Sequence, residues 1–133
     1  MRVIIEKNYE DLSLWVATYI MKKINNCQKD YFVLGLPTGS TPLLTYKYLI
    51  KFNQENLVSF ENVITFNMDE YVNLDANHEQ SYSYFMHNNF FNYIDIKKEN
   101  INLLNGNSNN LKLECSNYEN KIKSYGGIDL FLC

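Results

Sequence analysis

The chain has 133 residues with 12 basic and 15 acidic side chains, a net charge of −3 and a single arginine, Arg2. That balance offers no basic stripe to a nucleic acid, and the length allows one domain with one modest core. Three widely spaced cysteines, Cys27, Cys115 and Cys133, fit neither a disulfide framework nor a clustered metal site and imply a reducing, cytoplasmic setting.

Arg2 to Ile5 reads as a short buried strand, followed by charge and not by an apolar run of signal-peptide length. Asn8 is placed to cap a helix whose inner face is Leu12, Trp15, Val16, Tyr19, Ile20 and Ile24, spaced by threes and fours. Tyr31 to Leu36 is a second apolar run. It passes into the small-residue turn Pro37-Thr38-Gly39-Ser40, after which Thr41 is placed to cap a helix that Pro42 opens and that carries Leu43, Leu44, Tyr46, Tyr48, Leu49 and Phe52.

Val63 to Phe66 is a third strand, running into the polar cluster Asn67-Met68-Asp69-Glu70-Tyr71. After a polar stretch, Asn73 to Gln80, Ser81 starts an aromatic-rich helix through Tyr82, Phe85, Met86, Phe90 and Phe91. Ile101 to Leu104 reads as a short extended piece. Leu111 to Tyr125 is amphipathic through Leu111, Cys115, Tyr118 and Ile122, Gly126-Gly127 stops it, and Ile128 to Leu132 is the last strand. No run approaches the roughly 20 apolar residues needed to span a bilayer. Strands alternating with helices predict an α/β domain: a mostly parallel open sheet with helices on both faces, whose ligands sit beyond the carboxyl ends of the strands.

Two loops at that edge carry the candidate chemistry. At Thr38, Gly39, Ser40 and Thr41 the side chains are small, and the amides of a helix start face outward, which suits a phosphate. The plainer alternative is a connection whose glycine takes an unusual backbone angle. No lysine follows as in a Walker P-loop, and G-x-G-x-x-G is absent, so no nucleotide is implied. Asp69 and Glu70 follow the third strand. They read either as solvated loop acids or a helix cap, or as a base close to a bound sugar phosphate. His78-Glu79 lacks a second histidine, His87 sits among aromatics, and no cysteine has a neighbour that favours a thiolate, so no metal and no nucleophile are assigned.

Leu34-Gly35-Leu36-Pro37-Thr38-Gly39-Ser40-Thr41-Pro42 and Val63-Ile64-Thr65-Phe66-Asn67-Met68-Asp69-Glu70-Tyr71 closely resemble the glucosamine-6-phosphate deaminase family. The likeness continues in order through Ser81-Tyr82, Phe85-Met86-His87, Asn89-Phe90-Phe91, Glu99 to Asn107 and Lys123 to Gly126. The resemblance implies a Rossmann-like sheet and conversion of glucosamine 6-phosphate to fructose 6-phosphate and ammonia, by aldose–ketose isomerisation with deamination and without a metal or organic cofactor. It implies Asp69 as proton acceptor, Glu70 as a residue that helps shape the site, and Thr38, Gly39, Ser40 and Thr41 as holders of the substrate phosphate. The implied partner is a small amino-sugar phosphate, with neither nucleic acid nor membrane. Homo-oligomers are usual in the family; the state of this chain is left open.

Family members are about twice as long, and their glycine-rich loop with an Asp, a His and a Glu, together with the basic phosphate clamp, follows the strand matched by Ile128 to Leu132. The chain is therefore expected to be the amino-terminal part of one deaminase domain, with little or no turnover alone. Two other readings stay open: a non-catalytic sugar-phosphate-binding remnant or partner of a full-length subunit, and a sugar-phosphate lactonase or isomerase of related fold.

Overall fold

The computed structural model describes residues 3–133. Helix α1 is Tyr9–Asn25, strand β1 Phe32–Leu36, helix α2 Leu43–Gln54, strand β2 Val63–Asn67, helix α3 Tyr82–Asn89, strand β3 Ile101–Asn102, helix α4 Leu111–Ser124 and strand β4 Leu130–Phe131. The four strands form one all-parallel sheet in the order β3-β2-β1-β4.

Strand alternation sorts the core. Phe32, Leu34, Leu36 and Val63 face one side, where they pack with Ala17 and Ile20 of α1, Tyr46 and Leu49 of α2, and Met86 and Phe90 of α3. Val33, Ile64 and Phe66 face the other side and meet Tyr118, Ile122 and Tyr125 of α4. Helices thus cover both faces, as the sequence pattern implies. Tyr46 and Phe90 stack at 4.8 Å, and Phe60 meets Phe90 edge-on at 5.5 Å, so aromatic bulk fills the larger core.

Several sequence expectations shift. Val3 and Ile5 are irregular and exposed and belong to no strand, while Arg2 lies outside the described residues. A short apolar run is strand-like only when a neighbour accepts its backbone bonds, and among the described residues none does. Asn8 caps α1 as expected, accepting the Asp11 amide at 2.8 Å. Val16, Ile20 and Ile24 of its expected inner face pack on the core, but Leu12 is exposed, Trp15 stacks on Tyr19 at 5.2 Å on a half-buried flank, and Ser13 and Ala17 are buried in their place. Close approach of α1 to α2 favours the small residues over the large ones. The α3 helix ends at Asn89, because Phe90 leaves the helical region at φ −147° to enter the core. In α4, Leu111 and Cys115 are exposed, and Tyr118, Ile122 and the following Tyr125 carry its packing. Gly126 and Gly127 both take positive φ, +82° and +96°, and end it as predicted.

One ion pair fastens β4 to the sheet. Asp129 accepts the Lys29 ammonium at 2.6 and 2.7 Å and the Val33 amide at 2.9 Å. Burial pushes the Asp129 carboxyl up, but the Lys29 ammonium and Val33 amide outweigh it and hold the group below the ordinary carboxylate range. A depressed carboxylate stabilises the fold above its unfolded pKa and ceases to as pH falls through the folded value. Asp129→Asn is therefore expected to lower the thermal midpoint at pH 7 by a few degrees, with the gap to the wild type closing below about pH 4. Unfolding curves across that range check it.

Candidate active site

The register sets the candidate residues side by side. Leu36, the last residue of β1, pairs with Asn67, the last of β2, and the strands are parallel. The Pro37–Thr41 turn and the Met68–Tyr71 loop therefore leave the same edge from neighbouring strands, which lie about 4.8 Å apart in such a sheet. Asn67 is buried and its side-chain amide donates to the Leu36 carbonyl at 3.1 Å, tying the two strand ends together. The Tyr46 hydroxyl donates to the Pro37 carbonyl and fixes the turn from the α2 side.

Gly39 has φ +94°, a left-handed angle that an L side chain resists. A Cβ there would touch nothing within 4 Å, so the requirement is angle and not space. The expected cap is corrected. Pro42, not Thr41, is the cap residue of α2 and makes no side-chain cap bond. Thr41 stands one residue outside that position and makes no bond to the helix, and the Leu44 amide three residues on, which a threonine there would ordinarily serve, is already taken. The capping oxygen comes from elsewhere: the Tyr9 hydroxyl accepts the Leu44 amide at 3.3 Å and donates to the Thr41 carbonyl at 2.8 Å and the Ser40 carbonyl at 3.1 Å. Nothing local in the sequence signals this, since Tyr9 lies more than 30 residues upstream.

Among the described residues, the Gly39, Ser40 and Thr41 amides and the Thr38, Ser40 and Thr41 hydroxyls donate to no protein acceptor. The start of α3 is the opposite case. Glu70 accepts the Tyr82 and Ser83 amides at 2.9 and 2.8 Å, and the Ser81 hydroxyl accepts the Tyr84 amide at 3.0 Å. A carboxylate here complements the positive end of the helix and holds the loop after β2 against α3.

Asp69 is left exposed beside it. Partial burial, and after it the negative charge of Glu70, raise the Asp69 carboxyl above the usual range. A raised carboxylate is a better base than an ordinary aspartate. It also means that the ionised form is disfavoured in the fold, so stability tied to this group is present at low pH and declines as pH rises through the folded value. Asp69→Asn is therefore expected to unfold at the wild-type temperature or slightly above it at pH 7, as differential scanning calorimetry would show.

The strand order places the reversal of the sheet between β1 and β4, where α/β sheets open a crevice at their carboxyl edge. A hollow of about 370 Å³ occupies that place, walled by Tyr9, Pro37, Thr38, Thr41, Thr45 and Leu132. Asp69 does not line it; the aspartate stands on the β2 side of the turn. Asp69 and the turn thus share an edge and flank one another without lining one enclosed cavity. Among the described residues no group of three or more His, Cys, Asp or Glu side chains is placed to hold a metal ion, and His87 packs edge-on against Phe91 at 5.6 Å.

A family model described as glucosamine-6-phosphate isomerases/6-phosphogluconolactonase matches residues 7–132. The chain belongs to this family. It is 58% identical to the glucosamine-6-phosphate deaminase of Borreliella burgdorferi (strain ZS7), over 99% of this chain and 50% of that protein. The same values hold for the deaminase of Parabacteroides distasonis: 58% identity over 99% of this chain and 50% of that protein. A solved monomeric glucosamine-6-phosphate deaminase superposes with a TM-score of 0.91 at 39% identity, covering 97% of this chain and 53% of that one. A 6-phosphogluconolactonase from Thermotoga maritima superposes at 0.77 with 22% identity, over 97% of this chain and 56% of that one, which is a likeness of fold alone. The chain spans about half the length of the curated relatives it matches. Among the described residues no helix is long and apolar enough to cross a membrane.

Proposed function

We propose that this chain carries the phosphate-holding turn and the proton-transferring carboxylate of a glucosamine-6-phosphate deaminase. The observation behind the reading is the Leu36–Asn67 pairing, which sets open amides on one loop and a raised carboxylate on the next. A hexose phosphate has its charged group at one end of a six-carbon chain and its reactive carbons at the other. Neighbouring loops, about 4.8 Å apart at their strand ends, suit a ligand of that shape.

In this reading the Gly39, Ser40 and Thr41 amides and the Thr38, Ser40 and Thr41 hydroxyls hold the phosphate. Asp69 removes the proton from the amino-bearing C2 of the open-chain sugar while O1 takes up a proton from solvent, giving an enol-type intermediate across C1 and C2. The same carboxyl returns the C2 proton to C1 and the amino group releases one proton to solvent, leaving an imine at C2. Water adds to the imine and ammonia departs, giving the ketose phosphate. A carboxyl with a raised pKa suits both halves of this shuttle, because it accepts a proton more readily than an ordinary aspartate and still gives it back. Glu70 keeps the loop in place through its bonds to α3 and takes no proton.

The test is proton exchange in D2O. The chain is expected to replace the C2 hydrogen of glucosamine 6-phosphate with deuterium above the uncatalysed rate, at a slow rate limited by the supply of open-chain sugar. Asp69→Asn is expected to return exchange to the uncatalysed rate. Equal exchange by the two proteins ends the assignment of Asp69 as base.

A further inference from the structure

We propose that Tyr9 is a positioning residue for the anion turn, a cap lent by α1 that leaves the hydroxyls of Ser40 and Thr41 free for phosphate. This rests on the reading of the turn as the phosphate site. The first amides of any helix need acceptors, and serine or threonine at its start usually supplies one by folding its hydroxyl back. A hydroxyl engaged that way no longer faces a ligand. Here the acceptor for the Leu44 amide is the Tyr9 hydroxyl, which also donates to the Thr41 carbonyl, so a single phenol holds the turn from both sides.

The phenol is itself well placed. Asn8 caps α1 immediately before it, and Tyr48 of α2 donates to Glu10 at 3.1 Å immediately after it. The Tyr9 ring walls the hollow beside Thr38 and Thr41 and is 47% exposed. A ring so exposed contributes little to the core, which makes the hydroxyl the part that matters and Tyr9→Phe a substitution the fold tolerates.

The experiment titrates the isotope-labelled chain with inorganic phosphate, and separately with glucosamine 6-phosphate, following backbone amides by NMR. Four proteins are compared: wild type, Tyr9→Phe, Thr41→Val and the double variant. Tyr9→Phe is expected to weaken phosphate binding about three- to tenfold at nearly unchanged thermal stability, with exchange of the Leu44 amide without ligand sped up in the double variant, which has neither acceptor. Thr41→Val is expected to weaken binding by a similar factor in the wild-type background and to have little further effect alongside Tyr9→Phe, because the hydroxyl it removes has turned to cap Leu44. A merely structural tyrosine would leave the Thr41→Val effect equal in both backgrounds, and that outcome overturns the inference. So does wild-type phosphate binding with an unchanged affinity in Tyr9→Phe. Absence of any response at Gly39–Thr41 in the wild type would instead overturn the phosphate reading, and this inference with it.

Discussion

Glu70→Ala is expected to lower the stability of the chain by about 2–3 kcal/mol, roughly a 10 °C fall in its thermal midpoint. The carboxylate accepts the Tyr71, Tyr82 and Ser83 amides at 2.9, 2.9 and 2.8 Å. Its removal uncaps two amides at the start of α3 and unties the β2 loop from that helix at once. Water replaces part of the loss, since the site is only half-buried, which is why the cost stays below the sum of three charge-assisted bonds. Glu70→Gln keeps one acceptor oxygen and is expected to fall between the wild type and Glu70→Ala. Chemical denaturation of the three proteins checks the order. Because Asp69→Asn is expected to cost nothing, the two adjacent acids are separated by stability alone.

The second large effect is expected at Gly106. A Cβ added there would fall inside the van der Waals radius of the Tyr71 carbonyl oxygen and against the Tyr71 carbonyl carbon. Both are backbone atoms that cannot swing aside. Asn73 donates its amide to the Gly106 carbonyl at 3.1 Å, and the Asn107 side chain donates to the Leu74 carbonyl at 2.8 Å, so the loops after β2 and β3 are stitched where they touch. Gly106→Ala must therefore part them, at about 2–3 kcal/mol. The structural trace is as diagnostic as the stability loss: amide shifts from Asp69 to Val72 are expected to move, while those of the Gly39 turn stay in place. A variant with wild-type stability and an unmoved Asp69 loop would show that the approach is looser than described.

The alternation of strand-like runs and three-and-four spacing made the βα order readable, because burial on both faces of a parallel sheet leaves Val33 to Leu36 apolar throughout and Val63 to Phe66 apolar but for the buried Thr65. Local caps were readable for the same kind of reason: Asn8 and Ser81 each bond an amide three residues on. The rest depends on long-range contacts. Val3 to Ile5 has the composition of a strand, yet strand formation is decided by a neighbour and not by the run itself. On α1, Val16, Ile20 and Ile24 meet the core as their spacing implies, while packing against α2 selects Ser13 and Ala17 over Leu12 and Trp15.

At the site, the two motif loops were legible from small residues and paired acids at strand ends, and the helix-cap alternative for the acids describes Glu70. The partner it caps lies twelve residues away, beyond any capping-box spacing. Tyr9 was invisible for a similar reason. Its hydroxyl serves a helix 35 residues downstream, and only the packing of α1 on α2 brings the two together. Thr41 matches the sequence preference for a cap, and the structure shows what takes its place: the cap position falls on Pro42, and a phenol from α1 already accepts the Leu44 amide.

The central claim is that Gly39 and Asp69 serve one ligand from neighbouring strand ends. Titrating the isotope-labelled chain with glucosamine 6-phosphate, and following the amides of Gly39, Ser40, Thr41 and Asp69, tests it most directly. The account predicts that all four respond and fit one common Kd. Saturation of the Gly39 turn with Asp69 and its neighbours unmoved would contradict it.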